Sequence, residues 1–338
     1  MNYLEIIPNS IEFKKISDHE YFNSPLYKDY VSNSKLSLID PERGGSIEKF
    51  NEGFESGYNE SFELGTAVHG YLLQPDEYEI ADFTKPTGKV GLFAEAYYKY
   101  TKQGLEEEEV IKLAIKESDY YKGKPSASRL KLAVEASKEY FDKRDTLVEK
   151  EGIETLILSE KLLNDYTNII NSLKSSKTFN RYLEPEGIAK DPTVYSEWAI
   201  FCDIVNKTTG EITKFKAKFD NITVDLENNV VTLNDIKTTF NINNFFKGYE
   251  FYKDTGEHVV VQSSFEKYNY YRQCGVYLWL LHHIMREKYP NIKFTYNVNI
   301  LAVQTSQDYK SEVFKVSKKW IDKGLNEFKK LILLINGR

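Results

Sequence analysis

KAKFDNITVDLENNVVTLNDIKTT, residues Lys216–Thr239, alternates apolar and polar positions on both sides of the pair Asn228-Asn229. Period-two alternation is the mark of a half-buried strand. Asn tolerates the positive φ of a tight turn, so the stretch predicts a hairpin turning at Asn228-Asn229. A turn there sets Asp220 directly opposite Lys237, and Asp235 shares the face of Lys237. Lys216 and Lys218 alternate onto the face of Asp220. Two carboxylates beside one ammonium suit a Mg²⁺ ion, which binds through a few oxygens and keeps waters for a substrate phosphate. An exposed hairpin carrying a surface salt bridge has the same spelling.

The neighbouring segments extend the pattern. TVYSEWAIFCDIV (193–205) and FTYNVNILAVQT (294–305) are rich in β-branched and aromatic residues and read as further strands. A helix is predicted from Phe265 to Lys288, ended by Pro290, and a closing helix from Ser317 to Ile335. Residues 92–175 read as mostly helical, with breaks near Gly104, Gly123-Lys124-Pro125 and Gly152. The acidic run Glu106–Glu109 fits the start of a helix, where carboxylates complement the dipole. Helices, a strand meander, a helix, a strand and a helix predict an α/β or α+β domain around one central sheet.

Composition narrows the function classes. At 338 residues with 41% apolar content the chain can bury a large core, and 28% charged residues with 14% aromatics exclude a low-complexity chain. Cys202 and Cys274 are too few for a disulfide scaffold, a cysteine zinc site or a four-cysteine iron–sulfur cluster, and they fit a reducing compartment. The net charge of −6 excludes a surface basic everywhere, so any nucleic-acid contact needs a local positive groove. Only seven of the cations are Arg, which leaves phosphate contacts to Lys. No apolar run approaches a bilayer span, and MNYLEIIPNSIEFKK lacks the basic and apolar regions of a secretory signal, so a soluble intracellular protein is expected.

Two further groups stand out. His69 lies in GTAVHG (65–70), where small residues let a helix approach another element closely. A lone helical His is more often structural, as is expected of His282-His283. Gln273 and Tyr277 stand four apart and share a helical face. No GxxxxGK[ST], GxSxG, HExxH or CxxC pattern occurs, which removes support for nucleotide-hydrolase, serine-hydrolase, zincin and dithiol chemistry.

Taken in order, ELGTAVHGYLLQPDEY (63–78), SEWAIFCD (196–203), KAKFD (216–220), LNDIKTT (233–239) and YYRQCGVYLWL (270–280) carry a family likeness. Together they resemble the RecE-type (exodeoxyribonuclease VIII-like) exonucleases of the PD-(D/E)XK nuclease superfamily, common in phages and prophages. The resemblance spans about residues 28–80 and 155–335. It implies a restriction-endonuclease-like α/β fold, a mixed central sheet flanked by helices, in a single domain 1–338. Within it, 193–335 would be the sheet-rich catalytic core and 90–155 a helical insertion. By match, His69, Asp220 and Asp235 are metal ligands, with the carbonyl of Ile236 a further one, and Lys237 is the catalytic lysine. Gln273 and Tyr277 match a pair beside the active site that holds DNA or the lysine, and Lys218 is a supporting or DNA-binding residue. Glu197 falls where relatives often carry an acid.

The activity so implied is digestion of double-stranded DNA with two Mg²⁺ or Mn²⁺ ions, exposing single strands for recombination. The implied partners are DNA and a single-strand annealing protein, with a ring of copies, no membrane, and the cytoplasm of a bacterial host. The two cysteines set the chain apart from relatives that bear an iron–sulfur cluster. A structure-specific or restriction-like endonuclease, or a non-catalytic DNA-binding or virion protein on the same fold, are the alternatives.

Overall fold

The computed structural model describes residues 3–53, 60–148, 150–183 and 192–337. In chain order, strands β1 (Leu4–Ile6) and β2 (Glu12–Lys15) precede helices α1 (Asp18–Asn23), α2 (Asn33–Leu36) and α3 (Ile47–Glu52). Next come α4 (Glu60–Leu73), β3 (Tyr78–Ile80), α5 (Gly88–Thr101), α6 (Glu107–Ser118), α7 (Ala127–Asp145), β4 (Glu154–Leu156) and α8 (Glu160–Ser175). After α9 (Lys177–Leu183) follow β5 (Thr193–Asn206), β6 (Ile212–Asp225), β7 (Val230–Thr239), β8 (Tyr249–Tyr252) and β9 (His258–Val261). The chain closes with α10 (Ser264–Lys267), α11 (Tyr270–Lys288), β10 (Thr295–Gln304), β11 (Ser311–Lys315) and α12 (Lys318–Asn336). It divides into two compact units, Met1–Tyr58 with Ser172–Arg338, and Asn59–Asn171.

The first unit is built on a seven-stranded sheet of order β1-β5-β6-β7-β10-β11, with β2 also paired to β5. All neighbours are antiparallel except β7 and β10. A parallel pair needs a crossover, which here runs through β8, β9, α10 and α11. Along β5, Ile200, Cys202 and Ile204 enter the large apolar cluster that includes α11 and α12. Ala199 and Phe201 alternate into a second cluster with Tyr21 of α1 and Tyr27, whose ring stacks on Phe201. The unit is therefore a mixed sheet flanked by helices: the one central sheet that the strand pattern predicts, with the mixed pairing that the resemblance implies.

Helix α11 is fixed tightly, which matters because it carries Gln273 and Tyr277. A Cβ on Gly275 would lie 2.4 Å from the backbone N of Leu325, and one on Gly324 would lie 2.0 Å from the carbonyl of Tyr271. The two helices thus cross backbone to backbone. Arg272, fully buried, bridges Asp40 (3.3 Å) and Glu327 (3.2 Å) and donates to Asn33 Oδ1 (3.0 Å) and Ser37 Oγ (2.7 Å). A buried guanidinium needs this complete partner set to offset its desolvation.

Strands expected over 193–205 and 294–305 form with ends shifted by no more than one residue. The helix expected from Phe265 to Lys288 instead breaks at Asn269, which takes φ 58° and separates α10 from α11. The short strands β1 and β2, the pair β8 and β9, and the edge strand β11 were not anticipated, since strands of three to five residues show too few alternating positions.

In the second unit, α5, α6 and α7 pack around Phe93, Tyr97, Val110, Ala114 and Ala133. The acidic run does open a helix, with Glu107–Glu109 in the first turn of α6. A short parallel pair, β3 with β4, lies against α4, where a Cβ on Gly70 would come 2.8 Å from Tyr78 Cγ. The helical stretch expected over 90–155 falls within this unit, whose bounds are wider. Among the described residues no helix is long and apolar enough to cross a membrane.

Candidate metal centre

Strands β6 and β7 pair from Asp225↔Val230 to Asn221↔Asn234 and no further. The turn is accordingly the four residues 226–229, not the pair Asn228-Asn229 alone. Asp225 builds it, accepting from the backbone N–H of Asn228 (2.9 Å) and from its Nδ2 (2.7 Å), while Asn229 takes φ 52°. This moves the register by two residues from the expected one, so Asp220 falls level with Asp235 rather than opposite Lys237. Two residues are one full period, which leaves every side chain on its predicted face of β7.

Where the ladder ends, Asp220 takes over. Its Oδ2 accepts from the backbone N–H of Ile236 at 2.6 Å, tying the acid to the neighbouring strand. On the other side, β5 pairs with β6 at Ser196↔Asn221 and Trp198↔Phe219, leaving out Glu197. Glu197 has φ 57°, a left-handed conformation that costs a non-glycine residue about 1–3 kcal/mol. A carboxylate oxygen of Glu197 lies within 4.8 Å of one from Asp220. Glu197 is 6% exposed, and Lys218 Nζ lies 2.7 Å from its Oε2 and 2.6 Å from Asp18 Oδ1. Burial works to strip the proton from Lys218, but Glu197 and Asp18 more than offset it and its pKa is raised.

The same irregularity corrects the lysine reading. Tyr195 and Ile200 on β5, and Phe219 and Ile222 on β6, enter one apolar cluster although their spacings are odd, so alternation is interrupted between them. Lys216 is thereby directed toward α1, where its Nζ donates to the Tyr21 carbonyl at 2.7 Å. It does not join Asp220. Lys218 serves the site by holding Glu197, with its side chain 10% exposed, and not as an open phosphate contact.

On β7, Asp235 is 2% exposed and has two partners on its own face. Lys237 Nζ lies 2.5 Å from its Oδ2, and Gln273 Nε2 donates to its Oδ1 at 2.8 Å. Lys237 Nζ also donates to the Ile236 carbonyl (3.3 Å) and sits 5.3 Å from the centre of the Tyr270 ring. Burial would depress the pKa of Lys237, yet the charges of Asp235 and Asp220 outweigh it and raise the value, so the ammonium is retained. Tyr277, one turn on from Gln273, packs edge-on against Phe219, with burial pushing its hydroxyl well above the usual range.

The first unit therefore brings together Glu197, Asp220, Asp235, Ile236, Lys237, Gln273 and Tyr277, with Lys218 behind Glu197. His69 lies on α4 of the second unit, between buried Val68 and Gly70. Two participants were missed in the sequence. Tyr270 could have been found three residues before Gln273 on one helical face. Asp18 could not, because nothing local links it to a lysine two hundred residues later. The Glu197 and Asp220 carboxylates offer hard oxygen donors, which suit Mg²⁺ or Mn²⁺, while Asp235 holds Lys237 on one oxygen and Gln273 on the other. Both cysteines are buried, and burial pushes their thiols up in pKa, so neither offers a thiolate.

No protein-family model matches the chain, and no curated protein matches it in sequence. Among solved structures it is similar to a protein from Eubacterium rectale, whose 2.19 Å crystal structure carries the description "Putative exonuclease". Identity is 12% and the TM-score 0.46, over 96% of this chain and 87% of that one.

Proposed function

We propose that this chain is a metal-dependent deoxyribonuclease of the PD-(D/E)XK type, degrading double-stranded DNA from an end. The observation that carries the reading is the pairing, at one break in the sheet, of the Glu197 and Asp220 carboxylates with the buried Asp235–Lys237 ion pair. Glu197, Asp220, Asp235 and the Ile236 carbonyl are the groups that would hold the ions. His69 joins them on the strength of the sequence likeness. Bound there, the cations would lower the pKa of a water and neutralise charge on the phosphate.

The rest falls to the chain's own residues. Asp220 cannot swing freely, because the Ile236 N–H holds one of its oxygens. Lys237 keeps its proton, so its Nζ is a donor and not a general base. It is oriented by Asp235 and the Ile236 carbonyl to hydrogen-bond the attacking water or a phosphoryl oxygen. Gln273 fixes the Asp235 carboxylate from α11, and Lys218 fixes Glu197. End-directed digestion, a single-stranded product handed to an annealing protein, and assembly as a ring of copies follow from the sequence resemblance.

The test is cleavage of linear duplex DNA by wild type and Lys237→Ala with Mg²⁺, Mn²⁺ and EDTA. Metal-dependent activity lost in the variant is expected, and equal activity in both proteins would falsify the assignment. A covalently closed circle sets the mode: it should survive, and prompt cutting of it would replace the exonuclease with an endonuclease.

A further inference from the structure

Helix α11 has a second working face. Gln273 and Tyr277 point one way, to the acids, whereas Trp279, His282 and Arg286 line an open cavity of about 620 Å³ against α12 and the β10–β11 edge. That volume is in the range of small-ligand sites. Its aromatic element is preformed, with the His282 and Tyr296 rings stacked at 3.9 Å between centroids and 19° between planes. Leu278 and Ile321 supply an apolar floor. Three cations stand around it, Arg286, Lys315 and Lys318, all exposed, and among the described residues none has a carboxylate within ion-pair distance. Asp322 is the single acid in the lining among the described residues. Lys318 opens α12, a position where the helix dipole disfavours a cation and favours an anion.

A stacked aromatic pair over an apolar floor, rimmed by unpaired cations, matches a planar heterocycle bearing an anionic group. We infer that this cavity is a nucleotide site separate from the candidate metal centre, taking a base on the His282–Tyr296 stack and its phosphate on Arg286, Lys315 and Lys318. The ligand is either a free nucleoside monophosphate or a nucleotide of a single-stranded DNA chain, since base and phosphate are common to both. The assignment stands on the cavity's own chemistry and holds or fails independently of the nuclease reading.

Titration of the full-length protein in EDTA, followed by tryptophan fluorescence, tests it, because Trp279 lines the cavity. The probes are dAMP, an oligo(dT) single strand and sodium phosphate, against wild type, the double variant Arg286→Glu/Lys318→Glu, His282→Ala and Asp220→Asn. All three cavity positions are exposed, so the variants should keep the wild-type circular dichroism. Saturable binding of dAMP or oligo(dT) is expected, weakened about tenfold or more by the double variant and by His282→Ala, and unchanged by Asp220→Asn. Binding of dAMP identifies the free nucleotide, and binding of the oligonucleotide alone identifies the strand. Failure of both to bind, phosphate binding as tightly as dAMP, or loss in Asp220→Asn with retention in the double variant would each overturn the proposal.

Discussion

Two rows of side chains, one residue apart on the same strands, are built on opposite principles. The row Ser196, Asn221, Asn234 and Asn299 crosses β5, β6, β7 and β10 in register and is neutral throughout. Asn299 Nδ2 donates to Asn234 Oδ1 (2.9 Å), Asn234 Nδ2 to Asn221 Oδ1 (3.0 Å) and Asn221 Nδ2 to Ser196 Oγ (3.4 Å). All three Asn are essentially buried. The adjacent row, Glu197, Asp220 and Asp235, is acidic, and its charges are held by Lys218, Lys237 and a backbone N–H. Amides satisfy one another because each carries donors and an acceptor, whereas carboxylates only accept and need cations or N–H groups. The neutral row fixes the alignment of the strands, and the acidic row uses that alignment for chemistry.

The largest expected effect comes from the acidic row. Lys237→Ala should lower metal-dependent cleavage of linear duplex DNA about a thousandfold, the scale on which one preorganised electrostatic donor acts. Thermal unfolding should also drop, because Asp235 is left buried without its cation.

Placing a charge in the neutral row is the next test. Asn234→Asp puts a carboxyl at a fully buried position among amides, so its pKa in the folded state rises above the unfolded value. Below about pH 4 the carboxyl is neutral in both states and the variant loses only the second donor of the amide; stability falls further as the pH rises from there, since the unfolded chain releases the proton more readily. The gap in Tm between wild type and variant should widen from pH 4 to pH 7. A constant gap would mean that Asn234 matters only for its shape.

Metal binding sharpens the contrast further. At a Mn²⁺ concentration a hundred times Kd, wild type should gain about 2.7 kcal/mol of stability. Glu197→Gln and Asp220→Asn should lose most of that gain, and a variant such as Asn299→Ala should keep it after allowance for its own lower baseline. Smaller effects belong to the supporting residues. Gln273→Ala removes one hydrogen bond to a buried carboxylate, worth about 1.5–3 kcal/mol, and should cut cleavage about tenfold. Asp18→Asn should change stability by about 1 kcal/mol or less, because Asp18 is half-buried and Lys218 retains Glu197. Cleavage of the same substrate reads the first, and thermal unfolding reads the second.

Much of the site was legible because its signals are local. The alternation in Lys216–Thr239 gave β6 and β7, the D-x-K spacing gave one face to Asp235 and Lys237, and Gln273 with Tyr277 followed from helical spacing. A two-residue error in the turn did no harm to these faces, since the strand period is two.

What the chain alone determined, then, is which residues can share a strand face or a helix face, because those periods are written into nearest neighbours. Tertiary structure decided the rest. The register was set by buried amides at Asn221, Asn234 and Asn299, far apart in sequence, and by Asp225 folding the turn back onto Asn228. Glu197 became a site residue through a backbone conformation, φ 57°, that no propensity predicts. Lys216 and Lys218 left the face of Asp220 because that break in alternation redirected them, one to Tyr21 and the other to Asp18 and Glu197. Each of these outcomes depends on which strand lies alongside, and a partner two hundred residues away leaves no periodic trace in the sequence it pairs with.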